Sequence, residues 1–454
     1  MPHPRRLLVL FTVLGFAACA DEPQPTASTL TQELPVFADG AESATTTGQH
    51  LIKLSTNAPS NLAAAVEAAG GTLIRTHPQI GYAVVEGLDD NAASQFGQAT
   101  PDMSVAWQEG VSAMGNVDAS GPGEASHDPT TAGFYPVQWD MHQIDAAGAW
   151  AAGGSGDGVR VAIIDSGIDP FHADLAGLID QGASIAFTPS LSGFGPPWMD
   201  DRYHGTHVAG TVVTNGIGTS GVAPQATLIA IKSLDYLGSG SFADVIAGIL
   251  HAVDVADADV INMSLGAVFL KRGGGGFMGA GPLIGAMNQA LNYAQSRGAV
   301  VVSAAGNNGL NLQNLFDVTS VPCESGAGMC VSATGPTDAL ASYSNSGRST
   351  VNVAGPGGDF NGDFAASSVL APCTTGSLVL PFACGPLSYL FLDGTSMAAP
   401  HVAGVAALVI HDMGGASPGR VRTKIEQTAD DLGRKGADDD FGKGRINACA
   451  AIGC

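Results

Sequence analysis

The sequence predicts an α/β protein whose main domain is a mostly parallel β-sheet with helices on both faces, preceded by a small α+β domain of ferredoxin-like type. From residue 158 onward, continuous apolar runs typical of fully buried strands alternate with helical stretches, which is the pattern of a parallel sheet. Before that point, residues 48–110 contain shorter elements in the order strand, helix, strand, strand, helix, strand. The 62 glycines among 454 residues supply many tight turns.

The composition excludes several classes of protein. The chain has 41 acidic and 18 basic side chains and a formal net charge of −23, so it would repel a phosphate backbone and no nucleic-acid partner is expected. Hydrophobic residues make up 45% of the chain, which is enough to bury a core and excludes disorder over most of its length. Seven cysteines are too few for a small disulfide-dense scaffold.

Residues 1–20 are typical of an export signal. Two arginines precede an apolar run at 7–18, which is too short to span a bilayer. Two cleavage patterns remain open: a lipoprotein signal in which Cys19 becomes the lipidated N-terminus, and ordinary cleavage after Ala20. We therefore expect an exported protein, either secreted or anchored as a lipoprotein in the periplasm or on the outer surface, with no transmembrane span in the mature chain.

Four further segments follow this signal. Residues 21–47 are a flexible tether rich in Pro, Thr and Ser, residues 48–110 form the small domain, residues 111–135 are a Gly- and Ser-rich linker, and residues 136–454 form the main domain. The small domain has predicted strands at 51–54, 72–75, 82–85 and 105–109, and predicted helices at 61–69 and 91–96. The main domain has predicted strands at 159–164, 227–231, 260–263 and 300–304, and predicted helices at 207–214, 242–256, 283–297 and 399–411.

The six cysteines beyond Cys19 fall into three close pairs. An exported chain makes disulfides plausible, but six cysteines allow 15 connectivities, so local pairing is only a preference and free buried thiols are the alternative. The close pairs are Cys323 with Cys330, Cys373 with Cys384, and Cys449 with Cys454.

Three spots at strand ends or helix starts carry residues suited to nucleophilic catalysis. Asp165 ends an apolar strand, His204 begins His-Gly-Thr-His-Val-Ala-Gly-Thr, and Ser396 lies in Asp-Gly-Thr-Ser-Met-Ala-Ala-Pro-His. A serine hydroxyl needs a base to take its proton, and the base needs a carboxylate to hold its tautomer. In parallel sheets such groups meet beyond the carboxyl ends of the strands.

These segments resemble the subtilisin-like (S8) serine endopeptidases, in the order Asp, His, Ser of that family, over roughly residues 136–454. The resemblance implies that Ser396 is the nucleophile, His204 the general base and acid, and Asp165 the residue that orients His204. It also implies that Asn307, in Gly-Asn-Asn-Gly, is the side-chain donor of the oxyanion hole, with the Ser396 backbone N–H as a second donor.

The resemblance further implies a cleft for protein or peptide substrates and an inhibitor within the same chain. An extended peptide would pair as an added strand between two walls. These walls are Ser264, Leu265 and Gly266 on one side and Gly238, Ser239 and Gly240 on the other. Residues 48–110 are similar to the family's inhibitory propeptide, so we expect a zymogen that processes itself in the linker near 110–135.

The expected chemistry needs no cofactor, but a structural calcium ion stays open. His172-Ala173-Asp174-Leu175 resembles a family segment whose aspartate can bind calcium, yet the loop at 214–221 is shorter than in calcium-binding relatives. Asp174 is therefore either a calcium ligand or a solvated surface carboxylate. His207, one helical turn after His204, is interpreted as a packed helix residue rather than a metal ligand.

Two insertions depart from the compact family pattern, at residues 267–282 and 358–392. Each could shape a substrate pocket or be a tolerated surface excursion. A rival hypothesis is a non-catalytic binding protein with the same fold, and a second is the acid-acting relative that uses Glu, Asp and Ser. The four catalytic residue types, with His at 204 and Asn at 307, favour an exported serine endopeptidase that works through an acyl-enzyme.

Overall fold

The computed structural model describes residues 46–107, 115–119, 128–270, 281–315, 318–326 and 328–454. All of them lie within one compact unit of the chain. The export signal, Cys19, nearly all of the tether, residues 271–280 of the first insertion and most of the linker lie outside the described residues. Below, residues 46–107 are called the N-terminal domain and residues 128–454 the catalytic region.

The described elements follow the predicted alternation of strands and helices. The strands are β1 Thr46–Leu54, β2 Thr72–His77, β3 Tyr82–Glu86, β4 Gly97–Trp107, β5 Gly115–Asp118, β6 Arg160–Asp165, β7 Ile185–Ala186, β8 Thr227–Lys232, β9 Ser239–Ser241, β10 Val260–Met263, β11 Leu265–Leu270, β12 Val300–Ala304, β13 Val318–Val321, β14 Met329–Thr334, β15 Val353–Pro356, β16 Val369–Pro372 and β17 Ser388–Leu392. The helices are α1 Leu62–Ala68, α2 Asp90–Ala93, α3 Trp139–Gln143, α4 Ala146–Ala151, α5 His204–Val212, α6 Phe242–Asp254, α7 Gly281–Ser296, α8 Phe364–Ser367, α9 Thr395–Asp412, α10 Pro418–Thr428 and α11 Ala448–Ile452.

The N-terminal domain has its six elements in the order β1, α1, β2, β3, α2, β4, with antiparallel neighbours β4-β1-β3-β2. The predicted start of its last strand is wrong, because β4 begins at Gly97 and not at residue 105. Pro101 lies within β4 and pairs with His50 at a register shift in β1, an irregularity that tolerates proline.

The catalytic region is built on a seven-stranded sheet in the order β15-β14-β12-β10-β6-β8-β7, in which every pair is parallel. Helices α6 and α7 pack against each other and on β6, β8 and β12, while α9 packs on β10, β12, β14 and β15. Strands β10 and β12 have the predicted bounds, and the predicted fold class is confirmed. Helices α5 and α9 begin earlier than predicted, at His204 and Thr395.

The second insertion combines two packed strands with partly exposed connecting segments. Within 358–392, β16 and β17 form an antiparallel hairpin whose strand residues are all buried, and β5 pairs with the other edge of β17. His207 Nε2, on α5, lies 3.2 and 3.1 Å from the carbonyl oxygens of Val369 and Leu390 in this hairpin. The hairpin is thus tied to the helix that begins at His204.

Among the described residues, no helix is both long enough and apolar enough to cross a membrane.

Candidate active site

Asp165 and His204 meet at the carboxyl end of β6. His204 Nδ1 lies 2.8 Å from Asp165 Oδ1, and both side chains are buried. A carboxylate can only accept here, so the proton of the neutral imidazole is held on Nδ1 and Nε2 is the basic atom. Asp165 Oδ1 also accepts the Ser166 backbone N–H at 2.7 Å, which fixes the carboxylate in turn.

Ser396 lies in the first turn of α9 and is held against the loop after β10. Its Oγ donates to the carbonyl oxygen of Ser264 at 3.1 Å, and Ser264 Oγ donates to the Ser396 carbonyl at 2.8 Å. Both residues are fully buried. The hydroxyl therefore lies beside Ser264–Gly266, one of the two segments predicted to pair with substrate.

The orientation of the Asn307 amide follows from its partners. Asn307 Oδ1 accepts the backbone N–H of Thr395 at 2.9 Å and the Thr395 hydroxyl at 2.7 Å. A backbone N–H can only donate, so this end of the amide is the oxygen and Nδ2 is the donor end. Because Thr395 precedes Ser396, the Asn307 donor is held close to the serine.

Asp200 was not predicted from the sequence. It connects Ser166, the residue after Asp165, to Thr206, which lies in the first turn of the helix that begins at His204. Its Oδ1 accepts from Ser166 Oγ at 2.9 Å, and its Oδ2 accepts from the Thr206 backbone N–H at 2.9 Å and hydroxyl at 2.6 Å. Burial raises the pKa of Asp200 to about 6. An aspartate shortly before a helix start is an N-terminal capping signal, and that signal was present in the sequence.

Lys232 is a buried cation that lies beside Ser166, the residue that follows Asp165. It ends β8 opposite Asp165, and its Nζ donates to Asp201 Oδ1 at 2.6 Å and to the carbonyl oxygens of Ser166 and Leu234 at 2.8 Å. All three ammonium protons thus have acceptors, which a buried charge requires. The network fixes the backbone between Asp165 and His204.

The two segments predicted as cleft walls lie on either side of β4, a strand of the N-terminal domain. On one wall, Ser239 and Gly240 pair with Ala106 and Val105 of β4. A Cβ at Gly240 would lie 2.1 Å from the Ser233 carbonyl oxygen, so only glycine fits there. Gly238 lies outside the paired residues, in the turn before β9.

On the other wall, Leu265 and Gly266 pair with Trp107 and Ala106. The strand β4 therefore runs through the cleft toward the loop that holds Ser264 next to Ser396 Oγ. His204 and Ser396 have no solvent exposure in this form of the chain.

A sequence profile of Peptidase S8, the subtilase family, matches residues 156–444. The chain belongs to the subtilase family. It is 34% identical over 322 residues to thermitase from Thermoactinomyces vulgaris, which spans 70% of this chain and 97% of thermitase. It is 37% identical over 317 residues to subtilisin E from Bacillus subtilis (strain 168), which spans 69% of this chain and 71% of that protein. This subtilase is a serine-type endopeptidase, as predicted.

Solved structures agree in fold. The epidermin leader peptide processing serine protease from Staphylococcus aureus matches with a TM-score of 0.71, over 89% of this subtilase and 97% of that chain. The identity between the two is 21%, so this likeness concerns the fold alone. A protease from Pseudoalteromonas arctica matches with a TM-score of 0.58 at 30% identity, over 72% of this subtilase and 99% of that chain.

The surroundings of Asp174 do not fit a calcium site. Its Oδ1 accepts the Ile217 N–H at 2.6 Å, and its Oδ2 accepts the Gly218 and Thr219 N–H groups at 3.0 Å and the Tyr389 hydroxyl at 2.8 Å. Burial and the Asp174 carboxylate raise the pKa of Tyr389, so its hydroxyl donates. Calcium needs oxygen acceptors and not donors around a carboxylate.

Asp174 therefore holds the short loop at 214–221 in place by accepting hydrogen bonds from its backbone N–H groups. The alternative of a solvated surface carboxylate is wrong as well, because the side chain is fully buried. Among the described residues, no group of three or more His, Cys, Asp or Glu side chains could hold a metal ion. Burial and the neighbouring His204 lower the pKa of His207 to about 3, so His207 is neutral and serves the hairpin contacts described above.

Three disulfides join the close cysteine pairs of this subtilase, Cys323–Cys330, Cys373–Cys384 and Cys449–Cys454. The disulfide Cys373–Cys384 closes a loop of the second insertion. This loop contacts the segment between Asp165 and His204. In that loop, Thr375 donates through its N–H at 2.6 Å and its hydroxyl at 2.7 Å to Asp169 Oδ2, and the Leu378 N–H donates to the Asp201 carbonyl at 2.9 Å.

Proposed function

We propose that this subtilase is an exported endopeptidase in which Ser396, His204 and Asp165 form the catalytic triad. The observation that carries the proposal is the buried 2.8 Å contact between His204 and Asp165 at the end of β6, on the sheet edge where the neighbouring strand β10 leads to the first turn of α9 and Ser396. This contact leaves His204 Nε2 as the base that a serine nucleophile needs. Its substrates are proteins or peptides in extended form.

The reaction follows from these positions. Ser396 Oγ attacks the scissile carbonyl carbon while its proton passes to His204 Nε2, and Asp165 stabilises the imidazolium that forms. Asn307 Nδ2 and the Ser396 backbone N–H donate to the oxyanion of the tetrahedral intermediate. As the C–N bond breaks, the imidazolium gives its proton to the leaving amine and an acyl-enzyme ester remains. Water, deprotonated by His204, then hydrolyses the ester and restores Ser396.

We also propose that the described chain is a zymogen that cleaves itself. Three observations support this: the burial of His204 and Ser396, the position of β4 in the cleft, and the register of Trp107 with Leu265. Ser264 directly precedes Leu265 in the chain, and its carbonyl oxygen accepts from Ser396 Oγ at 3.1 Å. We therefore propose that the maturation bond lies within residues 108–114, which span the end of the expected small domain and the start of the expected linker.

Export is part of the same proposal. The signal at residues 1–20 supports it, and three disulfides suit a protein that leaves the reducing cytoplasm. Lipidation at Cys19 and ordinary cleavage after Ala20 remain the two alternatives, and the mass of the mature N-terminus distinguishes them. No calcium ion is part of the proposal.

The test is the purified wild-type chain beside two variants, Ser396→Ala and the exposed control Ser296→Ala. A fluorophosphonate probe should label wild type and Ser296→Ala, both of which should hydrolyse casein and yield a fragment that begins within residues 109–114. Ser396→Ala should stay unlabelled and unprocessed, with hydrolysis lower by about 10⁶-fold. Labelling of the Ser396→Ala variant would refute the assignment of Ser396 as the nucleophile. Maturation of this variant at the wild-type rate would refute self-processing.

A further inference from the structure

The edge of β17 holds a second segment of the chain as an added strand. β5 pairs with β17 in antiparallel register, and the sheet order β16-β17-β5 makes β5 the outer strand. Beyond β5, the Ala119 N–H donates to the Leu387 carbonyl oxygen at 3.0 Å. The paired residues are Gly115 with Phe391, Asn116 with Leu390, Val117 with Tyr389, and Asp118 with Ser388.

The side chains of this added strand alternate between two surroundings. Val117 and Ala119 are half-buried and pack against a buried apolar cluster. Asn116 and Asp118 are exposed, and the Asp118 carboxylate accepts the Ser388 hydroxyl at 2.5 Å. The cluster consists of Leu370, Tyr389 and Phe391. The β17 edge thus offers main-chain hydrogen bonds and an apolar contact at every second residue, which is how a sheet edge recognises an extended peptide.

This edge lies on the leaving-group side of the catalytic serine. β17 ends at Leu392, shortly before Ser396, and the antiparallel pairing puts Gly115 at that end. β4 reaches the site from the other side, with Trp107 opposite Leu265. A polypeptide that passes the serine is therefore held as an added strand both before and after it.

We propose that the β17 edge is a second substrate site, which binds an extended polypeptide segment that follows the scissile bond. The proposal rests on the proposed function. In the precursor the site is filled by β5, and after maturation β5 becomes an N-terminal arm that competes with substrate. The segment it takes carries an apolar side chain at the position of Val117 and a hydrogen-bond acceptor at the position of Asp118.

The size of β5 explains why substrate can take its place. Four residues form the strand, and an isolated added strand of that length is marginal in water. When β5 leaves, β17 has an open edge with unpaired backbone groups, which another strand can satisfy. A substrate already held in the cleft delivers its following segment to that edge as an intramolecular partner.

The test compares four quenched fluorescent peptides with the active enzyme that the full chain yields. A short peptide has the sequence of residues 104–114, and a long peptide continues to residue 119. Two altered long peptides carry Val117→Asp or Asn116→Asp, which add the same charge on the apolar and the solvent-facing side. We expect the long peptide and its Asn116→Asp form to have a KM at least about fivefold lower than the short peptide. The Val117→Asp peptide should lose that gain.

The same pair of substitutions in the enzyme tests the competition by β5. Enzyme with Val117→Asp should show a further fall in KM for the long peptide, because its own arm no longer holds the edge, while Asn116→Asp enzyme should match wild type. Equal KM values for short and long peptides on both wild-type and Val117→Asp enzyme overturn the proposal, as does a gain that the Val117→Asp peptide keeps. If no peptide is hydrolysed and Ser396 takes no fluorophosphonate, the proposed function itself fails.

Discussion

The N-terminal domain and the catalytic region bury their apolar side chains in different ways. The parallel sheet of the catalytic region is covered on both faces by its own helices. The sheet of the N-terminal domain has α1 and α2 on one face, with Ile52 and Val85 in a small core of their own. Their neighbours Leu51 and Val84 point to the other face and belong to the large core, where β1 and β4 meet α6 and α7.

The difference shows that the smaller domain depends on docking. Only seven buried apolar residues form its own core, which is little for a domain of this size. Much of its apolar surface is covered only while it lies on α6 and α7. Cleavage after β4 would therefore leave a weakly stable domain that can unfold and depart, whereas the catalytic region keeps its core.

The largest expected effect concerns the stability of the catalytic region. Lys232→Met should lower its free energy of unfolding by about 3–5 kcal/mol, because Asp201 is left as a buried charge without its cation. Urea unfolding in a Ser396→Ala background, which prevents self-digestion, measures this. The control Arg422→Met breaks a partly exposed pair with Glu426, one helical turn away, and should cost about 0.5 kcal/mol or less. Equal losses in the two variants would contradict a stabilising role for the buried network.

The next effect separates the two faces of β1. Ile52→Ala and Leu51→Ala should each cost about 2–4 kcal/mol, since both fully buried side chains leave a cavity. Hydrogen exchange in the Ser396→Ala chain should rise only within residues 46–107 for Ile52→Ala. For Leu51→Ala it should also rise in α6 and α7, which lose their cover. Identical exchange maps would show that the docking face and the inner face are not distinct.

The sequence predicts the interior of both regions better than the chemistry at their edges. β10 and β12 match the predicted bounds because each is one uninterrupted apolar run. The starts of α5 and α9 were missed because their first turns carry the polar residues of the site, His204 and Ser396, and show no apolar period. The hairpin β16–β17 was missed because distant contacts stabilise it, such as the His207 bonds to its carbonyl groups.

The same reason explains which residues of the candidate site could be predicted from the sequence. Asp165, His204, Ser396 and Asn307 were predicted from motifs, although no spacing in the chain gives their separations in space. The partners Asp201 and Lys232 lie 31 residues apart with no motif between them, so only the structure brings them together.

A pH effect is expected where the two regions meet at Asp102. This fully buried carboxylate accepts from the Ala243 N–H at the start of α6 and from Thr47 Oγ1, and Asp244 and Arg75 lie close by. Burial raises its pKa to about 7.

In the released domain Asp102 would ionise near its ordinary pKa, so docking takes up a proton between about pH 4 and pH 7. Docking should therefore be strongest below that range and weaken as pH rises through it, by at most about tenfold per pH unit. Hydrogen exchange of residues 46–107, corrected for intrinsic rates, should show this in the Ser396→Ala chain. Asp102→Asn should abolish the trend and the exposed control Glu67→Gln should keep it; a trend unchanged by Asp102→Asn would assign it to another group.

The smallest expected effect concerns the ion pair between Arg75 and Asp244, which joins the two regions at 2.6 Å. Both side chains keep some solvent exposure, 26% and 19%, so water screens the pair and Arg75→Ala should weaken docking by about 1 kcal/mol or less. The loss should shrink further in high salt, whereas that of Leu51→Ala should not. Protection of residues 46–107 against hydrogen exchange gives both values on one scale. A larger loss for Arg75→Ala than for Leu51→Ala would mean that charge, and not the apolar face of β1, holds the N-terminal domain on the catalytic region.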